Sequence, residues 1–235
     1  LLPATPPKVD GYSIAGSCIP AREVGGDLFD YAAAPSGKLA LCVADVSGKG
    51  VPAALYMTLT KGMLASAQPK LTHLPALVSR LNKYLLATGK RKTFVTMSLA
   101  VLDPPARRLT HVRAGHNPPL LYRAATKTWE LLKPRGLGLG LASPAAFDPL
   151  LEEQTVELQT GDVAVFYSDG LTEMMNPERE QFGEERLGEV VRENAGSDAR
   201  QIHDAVLEAA REFQSGAEQH DDLTLLVLKA EYSLS

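Results

Sequence analysis

Four short acidic sequences lie at the ends of apolar runs in this chain. They are Gly25-Gly26-Asp27, Ala44-Asp45-Val46, Ser168-Asp169-Gly170 and Asp221-Asp222. A carboxylate at the end of a strand is solvated and rigidly held, so it is free to bind a cation. Four such ends from distant parts of one chain predict a site for two hard divalent metal ions. Such a site indicates hydrolysis or phosphoryl transfer.

Each aspartate taken alone also has an ordinary structural interpretation. Asp45 could cap the following helix, Asp169 could belong to an Asp-Gly turn, and Asp27 could follow a plain Gly-Gly turn. Asp221 and Asp222 repel each other, and either a cation or solvent exposure would relieve the repulsion. The four sequences together favour the metal site, because neighbouring antiparallel strands can bring such ends together.

The ligand type indicates which metal the site would hold. The candidates are hard carboxylate oxygens, and the sequence has no paired Cys or His-x-x-x-His pattern that would suit zinc. We therefore expect two Mn²⁺ or Mg²⁺ ions.

The elements that must position these aspartates read mainly as short strands. Apolar runs between turn residues predict strands at 12–19, 28–34, 39–46, 94–102, 109–113, 120–123, 128–132, 153–158, 163–167 and 223–228. Helical spacing predicts helices at 51–67, 74–88, 187–194 and 199–213. Residues 134–149 read as a loop. Regular alternation of strand and helix is absent, which argues against a doubly wound parallel sheet. We expect an α+β fold, with two antiparallel sheets packed together and helix pairs outside.

The bulk composition is that of a globular protein with a real core. The chain has 235 residues, of which 45% are hydrophobic and 22% charged, and its formal net charge is −4. That charge argues against nucleic acid as a partner, and the apolar runs are too short to cross a membrane. No signal peptide is visible, and Cys18 and Cys42 read as free buried thiols, so we expect a cytoplasmic protein. Residues 1–10 are predicted as a lead-in and 11–235 as one domain.

The same aspartates lie within five longer motifs. The chain resembles the PPM metal-dependent serine/threonine phosphatases, in their bacterial SpoIIE/RsbU-type branch. The resemblance covers nearly all of the chain, and the five motifs in this order are highly specific. The motifs are Pro20-Ala21-Arg22-Glu23-Val24-Gly25-Gly26-Asp27, Ala44-Asp45-Val46-Ser47-Gly48-Lys49-Gly50, Ala114-Gly115-His116-Asn117-Pro118-Pro119, Tyr167-Ser168-Asp169-Gly170-Leu171-Thr172-Glu173 and Asp221-Asp222-Leu223-Thr224.

The resemblance implies an αββα sandwich and a role for each carboxylate. Asp45 resembles the residue that bridges both metal ions, and the carbonyl of Val46 resembles a further ligand. Asp169 and Asp221 resemble ligands of the first ion. Asp222 is the neighbour of that position, so either residue of the pair remains the candidate ligand.

Two further residues acquire roles from the resemblance. Asp27 resembles the acidic residue on the side of the second ion. Arg22 lies five residues earlier, where the wider family has an arginine that binds phosphate. A planar guanidinium suits a phosphate dianion, although an ordinary surface arginine is the alternative.

The chain departs from the wider family after the central strand. That family often has Asp-Gly-His there, with the histidine as a candidate general acid, whereas this chain has Asp45-Val46-Ser47. The branch that the chain resembles also lacks that histidine. The proton for the leaving alkoxide would come from metal-bound water or another group. His116 is one candidate, and a turn residue bonded to the backbone is the alternative. Lys49 could touch phosphate or be a solvated turn residue.

The resemblance implies hydrolysis of phosphoserine or phosphothreonine on a protein by a hydroxide that bridges the two metal ions. Arg22, Asp27 and Asp45 are the expected catalytic residues. The implied substrate is a STAS-type anti-sigma-factor antagonist, which would place the enzyme in sigma-factor regulation. We also expect an upstream sensor or receiver domain, and no nucleic acid or membrane partner.

Two other functions fit part of the sequence. Gly25-Gly26-Asp27-Leu28-Phe29 is superficially similar to the signature of diguanylate cyclases, but Leu28 occupies the second acidic position. A phosphatase-like module that has lost catalysis and only docks a partner is the other alternative. The presence of all the expected carboxylates argues against that module.

Overall fold

The structure, a computed structural model, describes residues 2–67, 73–88 and 93–231. Residues 1 and 232–235, which the predicted lead-in and domain include, lie outside the described residues. The described strands are β1 (Tyr12–Ile19), β2 (Leu28–Ala33), β3 (Leu39–Val46), β4 (Val95–Asp103), β5 (Arg108–Ala114), β6 (Leu120–Arg123), β7 (Thr128–Leu131), β8 (Glu153–Glu157), β9 (Val163–Tyr167) and β10 (Leu223–Ala230). The described helices are α1 (Val51–Ser66), α2 (Leu74–Thr88), α3 (Pro144–Phe147), α4 (Asp169–Thr172), α5 (Gly183–Asn194) and α6 (Ala199–Gln214).

The strands form two five-stranded sheets. The first has the order β1-β10-β9-β6-β7, and the second has the order β2-β3-β4-β5-β8. Every pairing between these strands is antiparallel. The predicted absence of a doubly wound parallel sheet is therefore confirmed.

The continuous apolar runs of the central strands are explained by burial on both faces. Successive residues of a strand point to opposite faces of the sheet. In β3, Leu39, Leu41 and Val43 face the layer between the two sheets. The alternate residues Ala40, Cys42, Ala44 and Val46 face the helices. A strand between another sheet and a helix layer has no face left for polar residues.

Helices cover the outer face of each sheet. In α2 the apolar residues at helical spacing pack onto the second sheet, and they are Leu74, Leu77, Val78, Leu81 and Leu85. In α6 the buried Ile202, Val206 and Ala210 pack onto the first sheet. The layers are therefore helix, sheet, sheet, helix, and the predicted α+β sandwich is confirmed. Within the described residues, no helix combines the length and the apolar character that a membrane span requires.

Two local predictions from the sequence were wrong. The predicted loop at 134–149 contains α3, and Leu139 bonds to Val95 in both directions through the backbone. The side chain of Phe147 is fully buried, and its burial gives this segment its ordered path. The helix predicted from 187 begins instead at Gly183, as α5. The alternative interpretation of Asp169 as part of an Asp-Gly turn also does not hold, because these two residues begin the short helix α4.

One histidine is buried between the two sheets. His111 on β5 is 0% exposed, its Nε2 lies 2.9 Å from the Ser98 hydroxyl, and its ring lies edge-on to Phe166. Burial, with smaller contributions from Arg113 and His116, lowers the pKa of His111 from 6.5 to about 3. The folded protein therefore keeps this ring neutral at pH values where the unfolded chain protonates it.

The first prediction concerns stability in acid. Because the folded-state pKa of His111 is depressed, its contribution to stability is present above pH 6.5 and is lost as the pH falls toward 3. The loss amounts to about 1.4 kcal/mol per pH unit. The His111→Gln variant lacks this titration, so the free-energy difference of unfolding between wild type and variant should shrink at each step down from pH 6. Urea unfolding at pH 7.5, 6 and 5 measures it. A difference that stays constant over this range would contradict the prediction.

Candidate active site

The four acidic sequences meet at one edge of the sandwich because of strand pairing. In the second sheet Leu28 pairs with Ala44, so the start of β2 lies beside the end of β3. In the first sheet the Ser168 N–H donates to the Thr224 carbonyl, so the end of β9 lies beside the start of β10. Each antiparallel pair therefore brings two aspartate-bearing ends together, and packing of the sheets places one pair opposite the other.

Direct hydrogen bonds join the two pairs across the sheets. The hydroxyl of Thr224 on β10 donates to Oδ2 of Asp27 at 2.6 Å. Asp27 is the residue just before β2 in the other sheet. Both side chains are buried. The hydroxyl of Ser168 donates to the Asp222 carbonyl and accepts from the Thr224 N–H, which holds the end of β9 against β10. Sequence reasoning did not assign a role to Thr224, although its position two residues beyond Asp222 on an apolar strand signals a buried polar contact.

The side chain of Asp222 holds the segment that carries Arg22 in place by hydrogen bonds. Its carboxylate accepts from the backbone N–H groups of Ala21, Gly26 and Asp27, at 2.9, 2.7 and 3.3 Å. The side chain is only 7% exposed. These three donors engage both carboxylate oxygens.

These hydrogen bonds to Asp222 require glycine at position 25. A Cβ atom on Gly25 would lie 2.0 Å from Asp222 Oδ2. On the neighbouring strand end, a Cβ atom on Gly170 would lie 2.0 Å from the Asp222 carbonyl oxygen. Gly25 therefore lets its backbone approach the Asp222 carboxylate, and Gly170 lets two backbone segments approach each other.

Three aspartates form the electrostatic centre of the site. Burial, and next the charge of Asp45, raise the pKa of Asp27 well above its usual range. Burial, together with the charges of Asp169 and Asp221, raises the pKa of Asp45 to about 7. Burial, with the charges of Asp221 and Glu173, also raises the pKa of Asp169. Each carboxylate therefore destabilises the charge of its neighbours, and a bound cation would relieve that repulsion.

Asp221 differs from these three in its partners. Its Oδ2 lies 2.8 Å from Lys49 Nζ, and its Oδ1 accepts from the Asp222 N–H at 2.9 Å. The ammonium of Lys49 also donates to the carbonyl of His220. Lys49 is therefore paired with a carboxylate of the site, which neither interpretation from the sequence included.

The oxygen donors of the site suit a hard cation, but the described side chains are not drawn together around one point. The side chains offer carboxylate oxygens, and Val46 offers a carbonyl that faces the 25–27 segment: a Cβ atom on Gly26 would lie 2.9 Å from that oxygen. Across the ranges 2–67, 73–88 and 93–231, no three His, Cys, Asp or Glu side chains are placed to hold a metal ion as they stand. Asp221 bonds to Lys49 and Asp222 bonds to backbone, so neither joins the other three.

His116 is buried and neutral at physiological pH. Its Nδ1 lies 2.8 Å from the Thr96 hydroxyl, and Thr96 is the residue paired with Asp45 on the neighbouring strand. Burial is the main cause that lowers the pKa of His116 to about 4. A histidine with this pKa is neutral near pH 7 and lacks the acidic imidazolium proton that a general acid gives up, which favours a structural role beside the site.

Arg22 is exposed and lies within the segment that Asp222 holds in place. It makes no hydrogen bond or ion pair with the residues that the structure describes. Its guanidinium is therefore available to a ligand at the mouth of the site.

Several known proteins share this fold and sequence. Phosphoserine phosphatase RsbU of Bacillus subtilis (strain 168) is 28% identical over 236 residues, covering 97% of this chain and 66% of RsbU. The crystal structure of the RsbU and RsbW domains of Rv1364c from Mycobacterium tuberculosis has a TM-score of 0.80 at 26% identity, covering 97% of this chain and 62% of that chain. RsbX, solved in complex with magnesium, has a TM-score of 0.67 at 16% identity, covering 93% of this chain and 94% of that chain. The chain thus spans just under two thirds of the length of RsbU.

The fold and these relatives together define a PPM-type domain, with two packed antiparallel sheets between helix layers. The family described as Stage II sporulation protein E (SpoIIE) matches residues 35–231. The chain belongs to this SpoIIE family. The resemblance that the five motifs carried is therefore confirmed.

The second prediction separates the two neighbouring aspartates by stability. Asp222→Ala should lower the free energy of unfolding by about 3 kcal/mol, because it leaves buried N–H donors without their charged acceptor. Asp221→Ala is the matched control and should change it by less than about 1 kcal/mol, since the pair with Lys49 is half-exposed. Urea unfolding followed by circular dichroism gives both values. Equal losses in the two variants would contradict the assigned role of Asp222.

Proposed function

We propose that this domain hydrolyses phosphoserine or phosphothreonine on a regulatory protein, with two Mn²⁺ or Mg²⁺ ions in the carboxylate site. The observation that carries the proposal is the meeting of Asp27, Asp45 and Asp169, from three strand ends on two sheets, at one edge of the sandwich. The raised pKa of each carboxyl supports it. Their mutual repulsion creates a demand for positive charge that divalent ions meet. The name of RsbU as a phosphoserine phosphatase and the magnesium complex of RsbX support the same conclusion.

The ligand assignment follows which side chains are engaged elsewhere. Asp45 would be shared by both ions, with the Val46 carbonyl as a further ligand. Asp169 and Asp221 would hold the first ion, and Asp27 would lie on the side of the second. We assign Asp221 and not Asp222 to the metal, because Asp222 is buried with both oxygens held by backbone N–H groups. The side chain of Asp221 is half-exposed, and its pair with Lys49 can exchange.

The bound ions would supply an activated water and neutralise charge on the phosphoryl group. The chain itself supplies position and charge. Arg22 would hold the phosphate by its planar guanidinium, on a segment that Asp222 keeps in place. Asp27 and Asp45 would keep the nucleophilic water between substrate and strand ends. Charge on the equatorial oxygens would be stabilised as the transition state forms.

A covalent phosphoenzyme is not part of the proposal. The two cysteines are free thiols, and Cys42 is buried. Burial raises the pKa of the Cys18 thiol to about 12 and raises that of Cys42 further above its usual range. Neither thiol ionises near neutral pH, so direct attack by water is favoured. Because His116 is neutral and buried, we assign the proton for the leaving alkoxide to a water of the site.

The partners are proposed from the relatives and from the resemblance. The substrate would be a STAS-type anti-sigma-factor antagonist in its phosphorylated form. The domain, residues 11–235, would act as the output of a longer protein with an upstream sensor or receiver domain. RsbU supports this arrangement because it is longer than the region that matches.

The alternatives from the sequence are weaker against this geometry. The second acidic position of a diguanylate cyclase signature is Leu28, which is 0% exposed and packs in the core. The docking module without catalysis would leave the charged aspartates without a purpose. A metal-dependent assay separates the docking module from the enzyme.

The third prediction tests the metal-dependent reaction. Asp45→Asn and Asp169→Asn should each lower turnover at least about 100-fold while the fold is retained, because each removes a charged oxygen ligand. Phosphate release from a phosphoserine protein, with Mn²⁺ or Mg²⁺ against EDTA, measures the effect. Circular dichroism checks the fold of each variant.

Three outcomes of that assay carry different meanings. Metal-dependent turnover that is lost in both variants supports the proposal. Normal turnover in Asp45→Asn overturns the two-metal assignment. Absence of turnover and of metal binding by calorimetry favours the docking module.

The fourth prediction concerns phosphate binding. Arg22→Met should lower kcat/KM for the phosphoprotein roughly tenfold or more, because it removes a charge-assisted hydrogen bond to phosphate. Arg108→Met is the matched control, because Arg108 is an exposed arginine at the start of β5. In the strand register it lies opposite Asp103 of β4. Steady-state kinetics at fixed metal concentration compare the two. Equal losses in both variants would remove the special role of Arg22.

A further inference from the structure

We propose that Lys49 is the resident counter-cation of the metal site, and that metal uptake displaces its ammonium from Asp221. The inference rests on the proposed function and deepens it, because it describes how the site exchanges one cation for another. It assigns to Lys49 a role in metal affinity.

The contacts of Asp221 carry the first step. Its Oδ2 lies 2.8 Å from Lys49 Nζ, and its Oδ1 accepts from the Asp222 N–H. Both oxygens are therefore engaged by donors. A divalent ion that took Asp221 as a ligand would approach the oxygen that Lys49 now holds. Two cations at that oxygen would repel each other, so one must leave.

The position of Lys49 carries the second step. It lies in the short turn between β3, which ends with Asp45 and Val46, and the first residue of α1. Asp221 lies two residues before the start of β10, which belongs to the other sheet. The pair therefore joins the two sides of the site across the same edge where the other aspartates meet. Gly48 and Gly50, on either side of Lys49, have positive φ angles of 99° and 72°. Residues other than glycine rarely adopt this conformation, so the position of Lys49 depends on the two glycines.

The charges carry the third step. The aspartates Asp45 and Asp169 face Asp221, and each has a raised pKa partly because of it. Lys49 brings one positive charge to this group, whereas a divalent ion brings two to the same oxygens. The side chains of Lys49 and Asp221 are 44% and 46% exposed, so water and salt weaken their pair enough for exchange.

The opposite role for Lys49 makes the proposal testable. If Lys49 instead held Asp221 in the position that a metal needs, removing the ammonium would weaken metal binding. Displacement predicts that removing it strengthens metal binding. The two roles therefore differ in the sign of one measured affinity.

The experiment compares Mn²⁺ binding by isothermal titration calorimetry in wild type, Lys49→Met and Lys38→Met. Methionine keeps most of the length of the lysine side chain and removes its charge. Lys38 is the matched control, because its Nζ also lies 2.8 Å from an aspartate oxygen, that of Asp103, at the opposite end of β3. We expect Lys49→Met to bind Mn²⁺ roughly fivefold more tightly than wild type, with a smaller gain at high salt. Lys38→Met should match wild type.

A second readout uses the wild-type protein. Once released from Asp221, Lys49 should be acetylated faster by an N-hydroxysuccinimide ester when Mn²⁺ is present, because its amine, after losing a proton to water, can attack the ester and displace N-hydroxysuccinimide. The acetylation rate of Lys38 should not change. Peptide mass spectrometry measures both rates. Unchanged or weaker Mn²⁺ binding in Lys49→Met, or no Mn²⁺ effect on Lys49 acetylation, overturns the proposal.

These outcomes are distinct from failure of the proposed function. If wild type binds Mn²⁺ and releases phosphate but Lys49→Met binds no more tightly, only the role of Lys49 fails. If wild type binds no Mn²⁺, the metal site fails and the role of Lys49 fails with it. In the Asp221→Asn background, Lys49→Met should no longer tighten Mn²⁺ binding, and a gain that persists there contradicts displacement.

Discussion

Repulsion between carboxylates at one edge of the sandwich is the constraint on which the site depends. Asp27, Asp45 and Asp169 come from separate strand ends, and burial together with the charges of neighbouring carboxylates raises the pKa of each. The surrounding contacts counter this repulsion in different ways. Thr224 donates to Asp27, backbone N–H groups surround Asp222, and Lys49 pairs with Asp221. Together these contacts keep acidic strand ends close together in a folded protein, and the charge that remains suits divalent ions.

The sandwich makes that arrangement possible by joining two antiparallel pairs. Pairing of β2 with β3 and of β9 with β10 sets two acidic ends side by side in each sheet. The layer between the sheets is apolar, and its central residues are fully buried. Its packing holds one pair opposite the other. Rigid strand ends, and not mobile loops, therefore carry the candidate ligands, which suits a site where two ions need fixed positions.

Much of the fold could be predicted from local sequence. The bounds of β1, β3, β6, β9 and α2 follow apolar runs and helical spacing that need no knowledge of distant contacts. The errors fall where distant contacts decide. The ordered path of the 134–149 segment depends on Leu139 bonding to Val95 and on burial of Phe147. Neither partner is near in sequence, so no local pattern signals the result.

For the site, local sequence was enough to mark which aspartates gather at strand ends, and the five motifs pointed to the SpoIIE family. Residue type and spacing carry that information because strand alternation and turn chemistry are local properties. The different environments of Asp221 and Asp222 were decided only by tertiary structure. Adjacent in the chain, the two carboxylates look equivalent until folding brings backbone donors to Asp222 and Lys49 to Asp221. The physical reason is that a hydrogen bond or an ion pair depends on distances of a few ångströms in space, and sequence spacing does not determine those distances.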